Sequence, residues 1–321
     1  MITGGQGRVA LARDYWIMAL LLAALVAAPF LGLYPVLLMK ILCFALFAAA
    51  FNLLLGYSGL LSFGHAAFFG GAAYVTGYLC KDLGVGPGVG ILAGTAFALA
   101  LGWVVGSLAI RRAGIYFAMI TLALAQMMYF VWLQVKLTGG EDGLQGIPRG
   151  RLAGIVDLSQ DLNLYYFVLA VCAAGFWIIY RAIHSPFGEV LKAIRENEPR
   201  AISLGYDVDR VKLLAFVLSA GLAGLAGSTK CLVLQLASLT DVHWHMSGEV
   251  VLMTLLGGLG TVFGPLVGAA LVVVLQNAAV FGRWTLVAQG LIFVVCVLVF
   301  RRGIVGEIAA FFGRVTRPQK P

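Results

Sequence analysis

Charge is scarce in this 321-residue chain. Only 11% of its residues are charged while 61% are hydrophobic, and the mean hydropathy is +0.98. That balance excludes a soluble globular domain, which needs a charged surface of roughly a quarter of its residues. Cysteine is sparse too. Cys43, Cys80, Cys172, Cys231 and Cys296 stand singly, which excludes a disulfide or metal framework and leaves small apolar packing residues. His243 and His245 have no cysteine near them and make no metal set. There is no HExxH and no nucleophile–base pattern. Gly221–Lys230 superficially resembles a phosphate loop, but the Gly-Lys-Ser/Thr order is missing and the run sits in an apolar helix pattern. No catalytic activity, metal or cofactor is therefore expected. The net charge of +8 follows from basic residues on one membrane side and contact with anionic lipid, not from nucleic-acid binding.

What is present is a series of long apolar runs. Crossing about 30 Å of hydrocarbon takes roughly 20 helical residues. Tyr15–Tyr34, Val36–Leu55, Leu60–Leu79, Gly90–Ile110, Ile115–Leu133, Leu164–Tyr180, Leu213–Leu234 and Trp284–Phe300 qualify. Val250–Gly282 is uncharged for 33 residues, too long for one span, and its Gly257–Pro265 centre predicts two helices broken there. The first run is basic-flanked like a secretory signal, but Pro29 after Ala27-Ala28 makes a poor cleavage site, so an uncleaved first span is expected. Arg8 and Arg13, Arg111 and Arg112, the segment 181–212, and the tail with Arg301, Arg302, Arg314, Arg317 and Lys320 are basic or polar and belong on the cytoplasmic side. The mixed-charge segment 134–163 belongs outside. Parity then requires Leu60–Leu79 to cross fully and Val250–Gly282 to cross twice or dip and return. The expectation is an all-α polytopic membrane protein of about ten helices: a cytoplasmic N-terminus (1–14), a transmembrane domain (15–300) and a cytoplasmic basic tail (301–321).

The most distinctive segment is polar. Residues 181–212 hold 11 of the chain's 36 charged side chains between two apolar runs. Ser185 is a good N-cap and Pro186 suits the first helical position. At about 100° per residue, Phe187, Val190, Leu191 and Ile194 share one face, with Glu189, Lys192, Arg195 and Glu196 opposite. Pro199 ends or restarts the helix, and Gly205 stops a second short one. A two-faced helix pair of this kind is expected to fit a groove on another protein, its apolar face inward to that groove and its charges setting register. Leu191→Asp is then expected to uncouple without loss of the membrane fold.

Glycine is the second signal. Gly86, Gly90 and Gly94, and Gly260, Gly264 and Gly268, recur every four residues, as helices in close contact require. Gly56–Gly71 is denser in glycine than packing needs. With Gly257–Pro265 it gives one Gly-interrupted segment in each half, a pointer to a transport path between inverted halves. Polar residues at apolar depth are candidates for lining it: Asn52, Ser62, His65 and Gln126, with Thr121, Thr254 and Gln276. Lys40, Lys230 and Glu249 are expected to snorkel from span ends. Glu249 is the one acid set against hydrocarbon, which argues against a proton relay.

Five stretches, in order, carry a family resemblance: Asn52–Tyr74, Thr138–Pro148 (TGGEDGLQGIP), Ser185–Gly205 (SPFGEVLKAIRENEPRAISLG), Lys212–Gly227 and Leu256–Gly268. Together they resemble the LivM-type permease of branched-chain amino acid ABC transporters, and the outer-loop motif favours that branch over its sister permease. The resemblance implies a type II importer architecture in the bacterial inner membrane, both termini cytoplasmic. ATP hydrolysis would fall to separate subunits, docked on a coupling loop that includes Phe187, Gly188, Glu189, Val190, Leu191, Ile194, Arg195, Glu196, Asn197, Glu198 and Gly205. The partners implied are a second homologous permease, two ATP-binding subunits and a periplasmic substrate-binding protein, with membrane lipid around them. Urea or short amides are alternative substrates, and an ATP-independent secondary transporter is the alternative class.

Overall fold

The computed structural model describes residues 20–32, 34–135, 138–152, 156–277, 285–299 and 303–307. The basic start, Tyr15, Trp284, Phe300, Arg301, Arg302 and the tail from 308 lie outside the described residues, as does the Cys296 side chain. The chain is helical almost throughout. α1 (Leu20–Phe30) tightens into a 3-10 turn at its end. It is followed by α2 (Pro35–Asn52), α3 (His65–Lys81), α4 (Pro87–Ala109), α5 (Ile115–Gln134) and α6 (Asp161–Ile183). Two short helices, α7 (Pro186–Glu196) and α8 (Glu198–Ser203), precede the long α9 (Val208–Leu234). One turn, α10 (Leu239–Val242), leads to α11 (Trp244–Gly257), α12 (Gly264–Asn277) and α13 (Thr285–Val299). Among the described residues five helices, α2 with its terminal turn and α4, α5, α6 and α9, are long and apolar enough to cross a membrane.

Prolines at the first turns of α2, α4 and α7 start those helices where no intrahelical N–H is lost. α2 is hydrophobic on every side and is enclosed by protein, as such a helix must be. With α9 it forms the bundle axis, whereas α4, α5 and α6 turn most of their side chains outward. The approach of α9 to its neighbours depends on small residues. A Cβ on Gly227 would stand 1.9 Å from the Phe69 carbonyl oxygen, so α3 and α9 touch backbone to backbone there. Gly268 does the same for α11 and α12, with the Met253 carbonyl 1.8 Å from where its Cβ would be.

Two expected spans differ from their runs. The helix expected from Leu60 begins only at His65, because 59–64 is irregular, with Gly59 at φ +74°. Side chains serve this backbone: the Phe63 N–H donates to Thr121 Oγ1 (3.2 Å) and the Gly64 N–H to Ser62 Oγ (3.2 Å). The uncharged stretch from Val250 is broken where its glycines predict, between Gly257 and Gly264. Each 14-residue half rises only about 21 Å.

The two ends of the bundle are chemically distinct. At one end, short strands Leu144–Gln145 (β1) and Leu236–Ala237 (β4) pair antiparallel, as do Arg151–Leu152 (β2) and Val156–Asp157 (β3). Arg149 fastens that end, bonding Asp161 at 2.7 Å and the Val233 carbonyl at 3.0 Å. At the other end lie α7, α8, the 59–64 stretch and the 258–263 turn. α11 and α12 therefore run from the strand end to the α7 end and back.

Candidate functional site

At the α7 end, the irregular stretches of the two halves meet. α2 finishes in a π turn (Leu53–Ser58), a widening that brings its last carbonyls out of register. A Cβ on Gly56 would stand 2.7 Å from the Gly260 amide nitrogen, so only glycine lets this turn lie against the 258–263 turn. Three side chains hold the junction. The Asn52 carboxamide accepts from the Gly260 N–H (3.0 Å) and donates to the Thr261 carbonyl (2.8 Å). The Tyr57 hydroxyl donates to the Gly260 carbonyl at 2.8 Å. Arg195 of α7 donates from Nη1 to the Gly56 carbonyl. Thr261 then starts α12, its hydroxyl accepting from the Gly264 N–H (3.1 Å).

α7 forms where the periodicity places it, but its apolar face points the opposite way from that expected. Leu191 and Ile194 are fully buried in the chain's own core, and Phe187 and Val190 pack beside them. Gly188 lies against the Ile183 carbonyl. The face therefore anchors the helix pair to the bundle and is not available to a partner's groove. The reason is energetic: next to the apolar ends of α6 and α9, a stripe of four apolar side chains is satisfied within the chain. Ser185 occupies the N-cap position, but its hydroxyl donates back to the Ala182 carbonyl (2.7 Å) and leaves α7 uncapped by side chain. Asn197 does the capping instead, accepting from the Arg200 N–H (3.1 Å) where Pro199 restarts the chain as α8. Gly205, at φ +87°, ends it.

Facing away from the bundle are Glu189, Glu196 and Asn197, and beyond them Ile202, Leu204 and Tyr206, which are 58%, 69% and 46% exposed. Glu189 pairs with Lys192 (2.9 Å), and Glu198 reaches buried Lys212 (2.6 Å). Arg195, expected to address a partner, spends its guanidinium on Gly56. The exposed apolar triplet carries no helical period, so residue spacing gave no sign of it.

The four path candidates separate. Asn52 is a clamp, and Ser62 serves the Gly64 amide. His65 is fully buried, ringed by Phe51, Phe68 and Phe216 at 5.0–6.1 Å between centroids. Its Nε2 lies 2.8 Å from Ser219 Oγ, which donates its single proton to the Ala50 carbonyl (2.5 Å), so the histidine must be the donor. Gln126 stands apart, partly exposed on α5 among outward Met127, Phe130 and Met119. Thr121 and Thr254 bond carbonyls of their own helices, and Gln276 donates to Glu249 (3.1 Å).

Two charged residues depart from expectation. Lys230 does not snorkel: it is buried and paired with Asp241, its ammonium 5.8 and 5.6 Å from the Phe44 and Phe69 ring centres. Glu249 is accordingly not the one acid at depth, since Asp241 is 2% exposed. A lysine so placed cancels the charge, so Asp241 offers no free relay. The cysteines also do more than their spacing suggested, since the Cys43 and Cys172 thiols meet between α2 and α6. His243 accepts from the His245 N–H at 3.4 Å as a cap on α11.

Residues 33–300 match the model of the family described as "Branched-chain amino acid transport system / permease component". The chain belongs to that family. Over 246 residues the permease is 29% identical to the high-affinity branched-chain amino acid transport system permease protein LivM of Escherichia coli (strain K12), covering 70% of this chain and 58% of that one. Over 286 residues it is 28% identical to the LivM protein of Salmonella typhimurium (strain LT2), covering 81% and 67%. The chain thus spans about three fifths to two thirds of the LivM proteins it matches. It is also 29% identical over 196 residues to the ribose import permease protein RbsC of Bacillus subtilis (strain 168), covering 56% and 58%. No solved structure matches this chain.

Proposed function

We propose that this permease is the membrane-spanning subunit of an ATP-driven type II importer, moving branched-chain amino acids across the bacterial inner membrane. Ten crossings, made by α1 to α6, α9 and α11 to α13, would put both termini and the α7–α8 pair in the cytoplasm. The observation that carries the reading is the α7–α8 pair itself. It is locked to the bundle by Leu191 and Ile194, joined by Arg195 to the meeting point of the two halves, and tipped with exposed Ile202, Leu204 and Tyr206. An ATP-independent carrier has no use for such a lever. An ATPase subunit pressing on that tip would move α7, and through Gly56 and the Asn52 clamp it would move α2 and the α11–α12 turn together.

A second homologous permease, two ATP-binding subunits and a periplasmic binding protein complete the assembly. Along the outward face of α5, the apolar wall suits the aliphatic tail of such a substrate, and Gln126 is its polar member. A site without fixed charge releases its cargo quickly, and substrate choice then falls to the binding protein. The likeness to a ribose permease fits that division of labour, since similar walls serve unlike substrates.

The docking surface is tested at Leu204, not Leu191. Leu204→Asp in the reconstituted transporter should leave the permease folded and inserted, while ATPase subunits co-purify several-fold less and uptake falls in step. Leu191→Asp should instead lose folded protein, because it places a carboxylate among fully buried side chains. Normal uptake and normal ATPase retention by Leu204→Asp would remove the proposed tip from the interface.

A further inference from the structure

A concavity lies between α1, α2, α6 and the start of α12, with a volume of about 420 Å³ and one side open. Its size falls within the range of small-molecule sites, roughly 300–1,000 Å³, so the immediate temptation is to seat the substrate there. The lining forbids it. Leu25, Leu42, Leu169, Phe176, Trp177 and Phe263 typify the walls, and the Cys172 thiol and the Trp177 indole N–H are the hydrogen-bonding groups among the lining side chains, with no charge among them. A zwitterion would lose its hydration with no charge, and no strong acceptor for its ammonium, to replace it. Water is excluded for the same reason: a buried water needs about three polar partners, and apolar cavities stay dry.

The occupant must therefore be apolar, and position selects which kind. The cavity opens at the outward face of α6, beside Leu22 and Trp177, 43% and 58% exposed, on helices that present apolar side chains to hydrocarbon. It runs inward from Leu42, one third of the way along the α2 span, to Val262 and Phe263 at the α7 end. Its lining follows α6 lengthwise from Leu169 to Trp177, as an acyl chain lying along the helix would require. Left empty, its walls would forfeit the dispersion contacts of one whole side. We infer that this cavity is a binding site for one acyl chain of a membrane phospholipid.

The site has a consequence for the junction described above. Val262 and Phe263 form its inner floor and directly follow Gly260 and Thr261, which the Asn52 clamp grips. A lipid tail would back that turn through Val262 and Phe263. The lipid becomes part of the support for the contact between α2, α7 and the second half.

The experiment uses the complete transporter in vesicles of phosphatidylethanolamine and phosphatidylglycerol, doped with a phosphatidylethanolamine carrying a diazirine near the end of one acyl chain. After illumination, adducts should concentrate on peptides containing 172–177 and 262–266. Excess unlabelled phospholipid should reduce them, whereas saturating leucine should not. Ala173→Phe, which adds a ring to the wall, should lower adducts at these peptides several-fold while leaving labelling of outward α4 residues such as Trp103 unchanged. If Ala173→Phe fails to assemble, Ala174→Leu and the lipid competition in the unaltered protein give the same readout. Labelling spread evenly over all outward helices, insensitivity to the filling variants, or displacement by leucine would overturn the assignment. So would density for a partner's helix in the cavity.

Discussion

Replacing Asn52 with alanine separates two accounts of one residue. As a wall of the path, Asn52 would touch passing substrate, and its loss would change rate or selectivity with little effect on the fold. As a clamp, it satisfies the Gly260 N–H and the Thr261 carbonyl at 3.0 and 2.8 Å. Alanine leaves both without their partner. Each unsatisfied buried backbone group costs about 1–3 kcal/mol, so the pair costs roughly 2–6 kcal/mol. Gly260 and Thr261 are only partly buried, and water entering from the α7 end brings the expectation to the low end, about 2 kcal/mol. That is a factor of about 30 in the balance between the closed junction and a loosened one. Asn52→Asp keeps the acceptor for Gly260 but sets a carboxylate against the Thr261 carbonyl, and should be no better than alanine. The assay is thermal unfolding of the purified transporter in detergent, alongside uptake of leucine, isoleucine and valine. The clamp requires a lower midpoint for both variants and a loss of uptake that is equal for all three substrates. A wild-type midpoint with altered preference among the three would refute this reasoning and return Asn52 to the path.

Lys230→Met or Asp241→Leu alone should destabilise by about 3–5 kcal/mol, since each strands a buried charge, whereas the double variant should recover most of the loss. Thermal midpoints of the four proteins close the cycle, and singles that behave like wild type would place the pair in contact with water. Gly227→Ala should abolish folded protein on size-exclusion chromatography, because the Phe69 backbone it would strike has no rotamer to move. Gly248→Ala, inside α11 with open space around it, should be neutral or stabilise by about 0.5–1 kcal/mol in the same measurement.

Much of this protein is legible in the residues alone, because hydrocarbon is an unforgiving solvent. Every backbone group must be paired within its segment, so apolar runs such as 90–110 and 115–133 could only become helices, and α4 and α5 follow them closely. Local chemistry also set the breaks: Pro199 and Gly205 bound α8, and the glycines after Gly257 part α11 from α12. The amphipathic stripe of α7 was equally plain. Periodicity states that four side chains share a face, but it is silent on what the face meets. That depends on where the ends of α6 and α9 lie, and they claimed Leu191 and Ile194 before any partner could. The same limit applied to charge. Lys230 lies inside the apolar run that ends at Leu234 and Asp241 follows 11 residues later, and only the return of α10 onto α3 brings them together in a dry place. Asn52 and Gly260, 208 positions apart, became one junction because two glycine-rich turns from opposite halves converge at one end of the bundle. Solvent and local geometry determined the elements; the choice of neighbours, and with it whether a polar group is a wall, a clamp or a lever, belonged to the packing.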